Sequence, residues 1–182
     1  MKKIICFSIQ ATVCLAILAF LVPTAKAANP ATINVTVTVQ NLSVSATGPI
    51  AFGTVAASSA TVSSGSSTVT NDGNVTETYS LNLTDPVPPT WTAVQALPGD
   101  EEYCLSAMFN TTQPASGGFT YANHALSTTP TACSATKFAG DQTGLSVLKT
   151  QTRSLWFKFE APSSTTVTTE QTIVVTITAS AG

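Results

Sequence analysis

The sequence predicts an all-β chain folded as an antiparallel β-sandwich of about nine strands with one long connection, and three observations point there. Apolar and polar residues alternate with period two in several stretches, as in half-buried strands. Turn signals recur about every 8–12 residues, which suits a sandwich better than a barrel. Past the N-terminal apolar run, no segment keeps a 3.6-residue apolar period over three turns.

The first 27 residues read as a secretory signal peptide rather than as part of the fold. Met1-Lys2-Lys3 is a short positive start, residues 4–22 are mostly apolar, and Pro23-Thr24 breaks the run. Ala25-Lys26-Ala27 then offers the small-x-small pattern of a cleavage site. The apolar run nearly reaches membrane-spanning length, but the site directly behind it favours cleavage after Ala27. That leaves one domain over residues 28–182. No later stretch is long and apolar enough to span a bilayer as a helix.

The strands follow in order. Ile33, Val35, Val37 and Val39 alternate with Asn34, Thr36 and Thr38, and Leu42-Ser43-Val44 continues the pattern. Gly48-Pro49 turns the chain into 50–55, and 56–67 is small and polar. Thr68-Val69-Thr70 enters Asn71-Asp72-Gly73-Asn74, a hairpin signal, because Asp-Gly tolerates the positive φ of tight turns. Its partner runs over 75–83, with Val75, Glu77, Tyr79, Leu81 and Leu83 on one face. After a Pro-rich loop at 85–89 come strands at 90–94 and 102–109. Residues 110–151 form the long connection, with short strands expected near Phe119 and Lys137-Phe138. Strands return at 154–160, where Leu155, Phe157 and Phe159 alternate with Trp156 and Lys158. The last, over 170–179, puts Ile173, Val175 and Ile177 on one face.

Charge and cysteine content narrow the function. Losing Lys2, Lys3 and Lys26 with the leader leaves four basic residues (Lys137, Lys149, Arg153, Lys158) against nine acidic ones, a net charge of −5. That argues against nucleic acid and against simple electrostatic binding to anionic lipid. Cys6 and Cys14 also leave with the leader. Cys104 and Cys133 remain, and in an exported protein one such pair is expected as a disulfide. It would close a loop of about 30 residues and contribute roughly 3–4 kcal/mol.

Two stretches resemble known families. Residues 50–55, a Ser-rich gap, and Val69-Thr70-Asn71-Asp72-Gly73-Asn74-Val75 are similar to the FG-x-V … V-T-N-x-G-N signature. That signature belongs to Ig-like domains of the abnormal-spindle/Hydin type. The resemblance implies an Ig-like topology and no catalytic residue. Residues 155–162 and 170–179 resemble the closing strands of spore-coat-U-like and WxL-like bacterial surface domains, which implies a surface role.

No reactive constellation appears. His124, the only histidine, sits in apparent loop without a nucleophile motif around any serine. Asp100-Glu101-Glu102 is the densest acidic cluster, but its spacing matches no calcium loop, and a solvated loop is expected there. Neither a catalytic residue nor a cofactor or metal is expected. Trp91 and Trp156 are candidates for stacking on a sugar ring. The first expectation is therefore an exported structural or adhesive protein, secreted or on the cell surface (or periplasmic), and not an enzyme. It would act on other surface or matrix proteins, and on itself through strand 28–39, which could add to a neighbour's sheet edge. The alternative is a carbohydrate-binding or other ligand-binding surface module.

Overall fold

The computed structural model describes residues 30–87 and 91–182. The expected signal peptide over 1–27 lies outside the described residues. The chain divides into two units, residues 1–38 and 39–182.

In the first unit, residues 30–38 belong to no helix or strand and are exposed throughout. The strand expected at 33–39 is thus not laid into a sheet. Its alternation fits a half-buried strand, yet a strand needs a partner for its backbone groups, and none of the described sheets includes it.

The second unit holds, among the described residues, nine strands in two sheets: β1 (Val44–Ala46), β2 (Ala60–Val62), β3 (Ser67–Asn71), β4 (Glu77–Thr84), β5 (Thr92–Ala93), β6 (Glu102–Phe109), β7 (Thr131–Ala132), β8 (Thr152–Glu160) and β9 (Val174–Ala181). The larger sheet runs β1-β3-β8-β6-β5, with β2 also on β8; the smaller runs β7-β4-β9. Pairing is antiparallel except for β5 on β6, which is parallel. The sandwich expectation holds.

The inward rows follow the sequence alternation. Val69 of β3, Tyr79, Leu81 and Leu83 of β4, Leu105 and Phe109 of β6, and Leu155, Phe157 and Phe159 of β8 form one core. This settles the side of β8: the Leu-Phe-Phe row faces inward and Trp156 and Lys158 face outward. The outer face of β6 is covered as well. A 3-10 turn at Ser116–Gly118 and the one-turn helix α1 (Tyr121–His124) lie over it, and Ala125 bridges to Ser106. That cover explains why β6 is buried on both faces.

Two expectations are corrected. The Asn71-Asp72-Gly73-Asn74 turn does not make a hairpin, because β3 and β4 lie in different sheets. The chain arches from one layer to the other. Gly73 is also not there for positive φ; a Cβ at that position would land on the Glu77 carboxylate and the Asn41 carbonyl. Close approach is what excludes a side chain.

The Cys104–Cys133 disulfide is the second correction, since both are buried free thiols. Cys104 shares the outer face of β6 with Ser106, whose hydroxyl is 3.8 Å from its Sγ. Cys133 packs in the core beside Gly144 and the Phe109 ring. Positions 104 and 109 are an odd number of residues apart, so they point to opposite faces, about 17 Å apart along the strand. No disulfide spans that. The long connection is ordered instead by Phe119, Leu126, Phe138 and Val147, all buried. The short strands expected at Phe119 and Lys137-Phe138 are absent. Phe119 follows the 3-10 turn, and Phe138 enters the core from a turn with φ 59°.

Burial pushes the Cys104 thiol up to about 11 and the Cys133 thiol up to about 12. Both raised values favour the neutral thiol of the folded state, so their contribution is complete below about pH 9. It is lost as pH climbs from there toward 12. In a chain beginning at Ala28, Ellman's reagent at pH 8 should find no reactive thiol when folded and two per chain in denaturant. Finding none in denaturant would restore the bridge. Urea midpoints should fall steadily from pH 9 to 11; a flat profile would contradict the burial of these groups.

Candidate functional site

Three features outside the core are candidates for contact: an exposed apolar row beginning in the first unit and, in the second, the arch that holds residues 39–43 and an open sheet edge. Ile33, Val35 and Val37 are 86, 87 and 86% exposed, and Val39 is 72% exposed. Isolated exposed apolar residues are ordinary, but a contiguous row of four β-branched side chains is not. The row carries no charge between residues 30 and 43.

The second unit begins at Val39, and its first residues are held by the Asn71–Glu77 arch. Asn74 grips the backbone from both sides: its Nδ2 donates to the Val39 carbonyl at 2.8 Å, and its Oδ1 accepts from the Asn41 N–H at 2.8 Å. The Asn74 N–H donates back to the Asn41 carbonyl at 3.1 Å. One step further in, Glu77 Oε1 accepts from the Ser43 N–H at 2.8 Å, and the Asp72 N–H donates to the Ser43 carbonyl. Asn71 stiffens the arch itself. Its Oδ1 accepts from the Gly73 N–H, and its Nδ2 donates to the Val75 and Val147 carbonyls. From Val44 the chain joins β3 as strand β1.

The open edge belongs to β9. It stands last in the order β7-β4-β9, so among the described residues only one of its edges is paired. Its inward row of Val175, Ile177 and Ala179 is half-buried, where the opposing row on β4 is at most 1% exposed. The core therefore thins out toward β9.

The other candidates resolve into structural roles. His124 is buried rather than loop-exposed. Its Nδ1 accepts from the Thr120 N–H at 2.9 Å, which leaves Nε2 to donate to the Ala139 carbonyl at 3.2 Å. Both ring nitrogens are spent on pinning α1 and the loop beyond it. In the acidic cluster, Glu101 accepts from the Thr166 N–H and from the Thr165 and Thr166 hydroxyls. Those bonds, led by the Thr166 N–H, hold its carboxyl below its usual range. Asp100 binds Ser164, and Glu102 accepts from the Gly99 N–H, so the carboxylates fasten loop 163–167 and residues 99–102. Among the described residues no three metal-ligating groups converge.

Trp91 and Trp156 are not brought together. Trp91 packs at the core edge against Tyr103 and Phe159 and donates its indole N–H to Thr165. Trp156 lies half-buried on the outer face of β8 and donates to the Asn110 carbonyl. A polar cluster of Lys158, Glu160 and Tyr121 sits on that outer face near Cys104, with the Tyr121 hydroxyl donating to Glu160 at 2.6 Å. Its groups are already paired with each other.

The grip on residues 39–43 is what the sequence did not disclose. Asn74 and Glu77 both stood in view, one as a turn residue and the other as the single charge in the apolar row of β4. A carboxylate on an inward strand face was the available signal, because such a group is buried only with a partner. Comparison with known proteins adds nothing to this geometry: no family model, no curated protein and no solved structure matches the chain.

Replacing Asn74 with Ala removes two hydrogen bonds to the Val39–Asn41 backbone, at a cost of about 1–2 kcal/mol in urea denaturation. Gly73→Ala should cost at least as much, since the Asn41 carbonyl or the Glu77 carboxylate must move. An unchanged denaturation midpoint in both variants would show that the arch does not hold residues 39–43.

Proposed function

We propose that this chain is an exported structural or adhesive protein, an Ig-like sandwich that works through contact with other surface or matrix proteins and with copies of itself. The observation that carries the proposal is the row Ile33, Val35, Val37 and Val39, which alternates like a strand, is 72–87% exposed and belongs to no described sheet. Burying such side chains is worth about 1.5–3 kcal/mol each. Four of them in one row therefore supply enough apolar surface to drive association, against the cost of ordering the segment. Strand addition to a sheet edge suits this pattern, because the backbone groups supply affinity and the alternate side chains supply register.

Further support comes from what the polar groups do. His124, the Asp100–Glu102 cluster and both indole N–H groups are engaged in holding loops. The leader-like N-terminus and the low charge of the remaining chain fit export to an envelope or extracellular setting.

The test is expression with export, with mass spectrometry reading the mature N-terminus at Ala28. Size-exclusion chromatography and negative-stain electron microscopy then compare that chain with one lacking residues 28–39. Multimers or fibres from the first and a folded monomer from the second are the expected result. A full-length chain that stays monomeric at high concentration, and behaves like the truncation, would remove self-assembly through this segment.

A further inference from the structure

We infer that the acceptor for residues 33–38 is the free edge of β9 in a second copy of this chain. The inference rests on the assembly reading above and specifies its other half. Edge strands are ordinarily protected by charge, proline, brevity or a covering segment. Strand β9 has none of the first three: Val174–Ala181 is eight residues of Val, Thr, Ile, Ala and Ser without a charge or a proline. Among the described residues only β4 pairs with it, and its inward Val175, Ile177 and Ala179 are half-exposed where a completed sandwich would bury them. Val44, on the last strand of the other sheet, is half-buried against the same core, and β1 touches β9. The two sheets therefore end side by side at β1 and β9, with this apolar row half-exposed on the core side.

Residues 33–38 have the chemistry that such an edge requires. Ile33, Val35 and Val37 alternate with Asn34, Thr36 and Thr38, so one face is apolar and the other carries amide and hydroxyl groups. Added to β9, the apolar face extends the row of Val175, Ile177 and Ala179. The polar face continues the outward row of Val174, Thr176 and Thr178. Six residues span about 20 Å, within the roughly 27 Å of an eight-residue strand. Both segments are uncharged, so no like-charge contact opposes pairing and no ion pair is needed. A second copy is the occupant because the chain itself carries the matching strand, and because that strand buries almost nothing as it stands. Donor and acceptor are different surfaces, so the contact is heterologous and joins subunits into a ring or an open chain, according to whether the rotation between them closes.

Hydrogen–deuterium exchange with mass spectrometry tests the inference on the exported chain, its 28–39 truncation and the Val35→Asp variant, whose altered side chain is exposed. In multimers of the exported chain, amides within residues 172–182 should exchange at least about tenfold more slowly than in the truncation, while Val35→Asp abolishes both multimers and protection. Multimers whose β9 amides exchange as in the truncation would overturn the acceptor and leave the assembly reading standing. Protection already present in a monomer, and lost on truncation, would overturn it in favour of the chain's own segment. If no multimer forms at any concentration, both readings fall.

Discussion

Strand β8 is hydrogen-bonded along both edges, and the rest of the larger sheet is arranged by that fact. One edge takes β3 beside residues 152–155 and then β2 beside 158–160; the other takes β6 along 155–160. A single nine-residue strand thus organises three others. Its alternate side chains do a second job. Leu155, Phe157 and Phe159 project into the core toward the Tyr79, Leu81 and Leu83 row of β4, and Phe159 gathers Phe52, Trp91 and Tyr103 around it. The smaller sheet is tied to the larger one by this packing and by the chain connections between the layers.

Much of this was legible in residue order because period-two alternation is a local property. The rows of β4 and β8 stand in the sequence as they stand in the fold, although alternation alone leaves open which row of β8 faces inward. What alternation cannot convey is which strand sits beside which. Asn71-Asp72-Gly73-Asn74 has hairpin composition, yet it carries the chain between layers, since β1 and β8 take up both edges of β3. The stretch 50–55 reads as a strand and has strand composition, but its Ile50, Phe52 and Val55 pack against the core without entering a sheet.

The candidate site was half legible for the same reason. Residues 33–39 could be recognised as a strand seeking a partner, but not as one left outside the described sheets. Asn74 and Glu77 act across 33 to 35 positions of sequence, and nothing local marks such reach. The disulfide expectation failed on parity. Counting cysteines gives a pair, whereas Cys104 lies on the outer face of β6 and Cys133 packs inside the sandwich beside Phe109.

The attachment of residues 39–43 has a mechanical consequence. A pull on the N-terminal segment enters the sandwich at Val39, meets the Asn74 and Glu77 bonds, and divides there: one part passes through β1 and β3 into β8 of the larger sheet, the other through Glu77 into β4 of the smaller one. A strand held on β9 would load β4, which lies in the smaller sheet. In a fibre joined in this way, the part of the tension carried by β1 would leave each subunit through a different layer from the one it entered. It must then cross between layers, either along the covalent arch at residues 72–76 or through side-chain packing between the sheets. The tensile strength of such a fibre would be set by that crossing as much as by the joints between subunits.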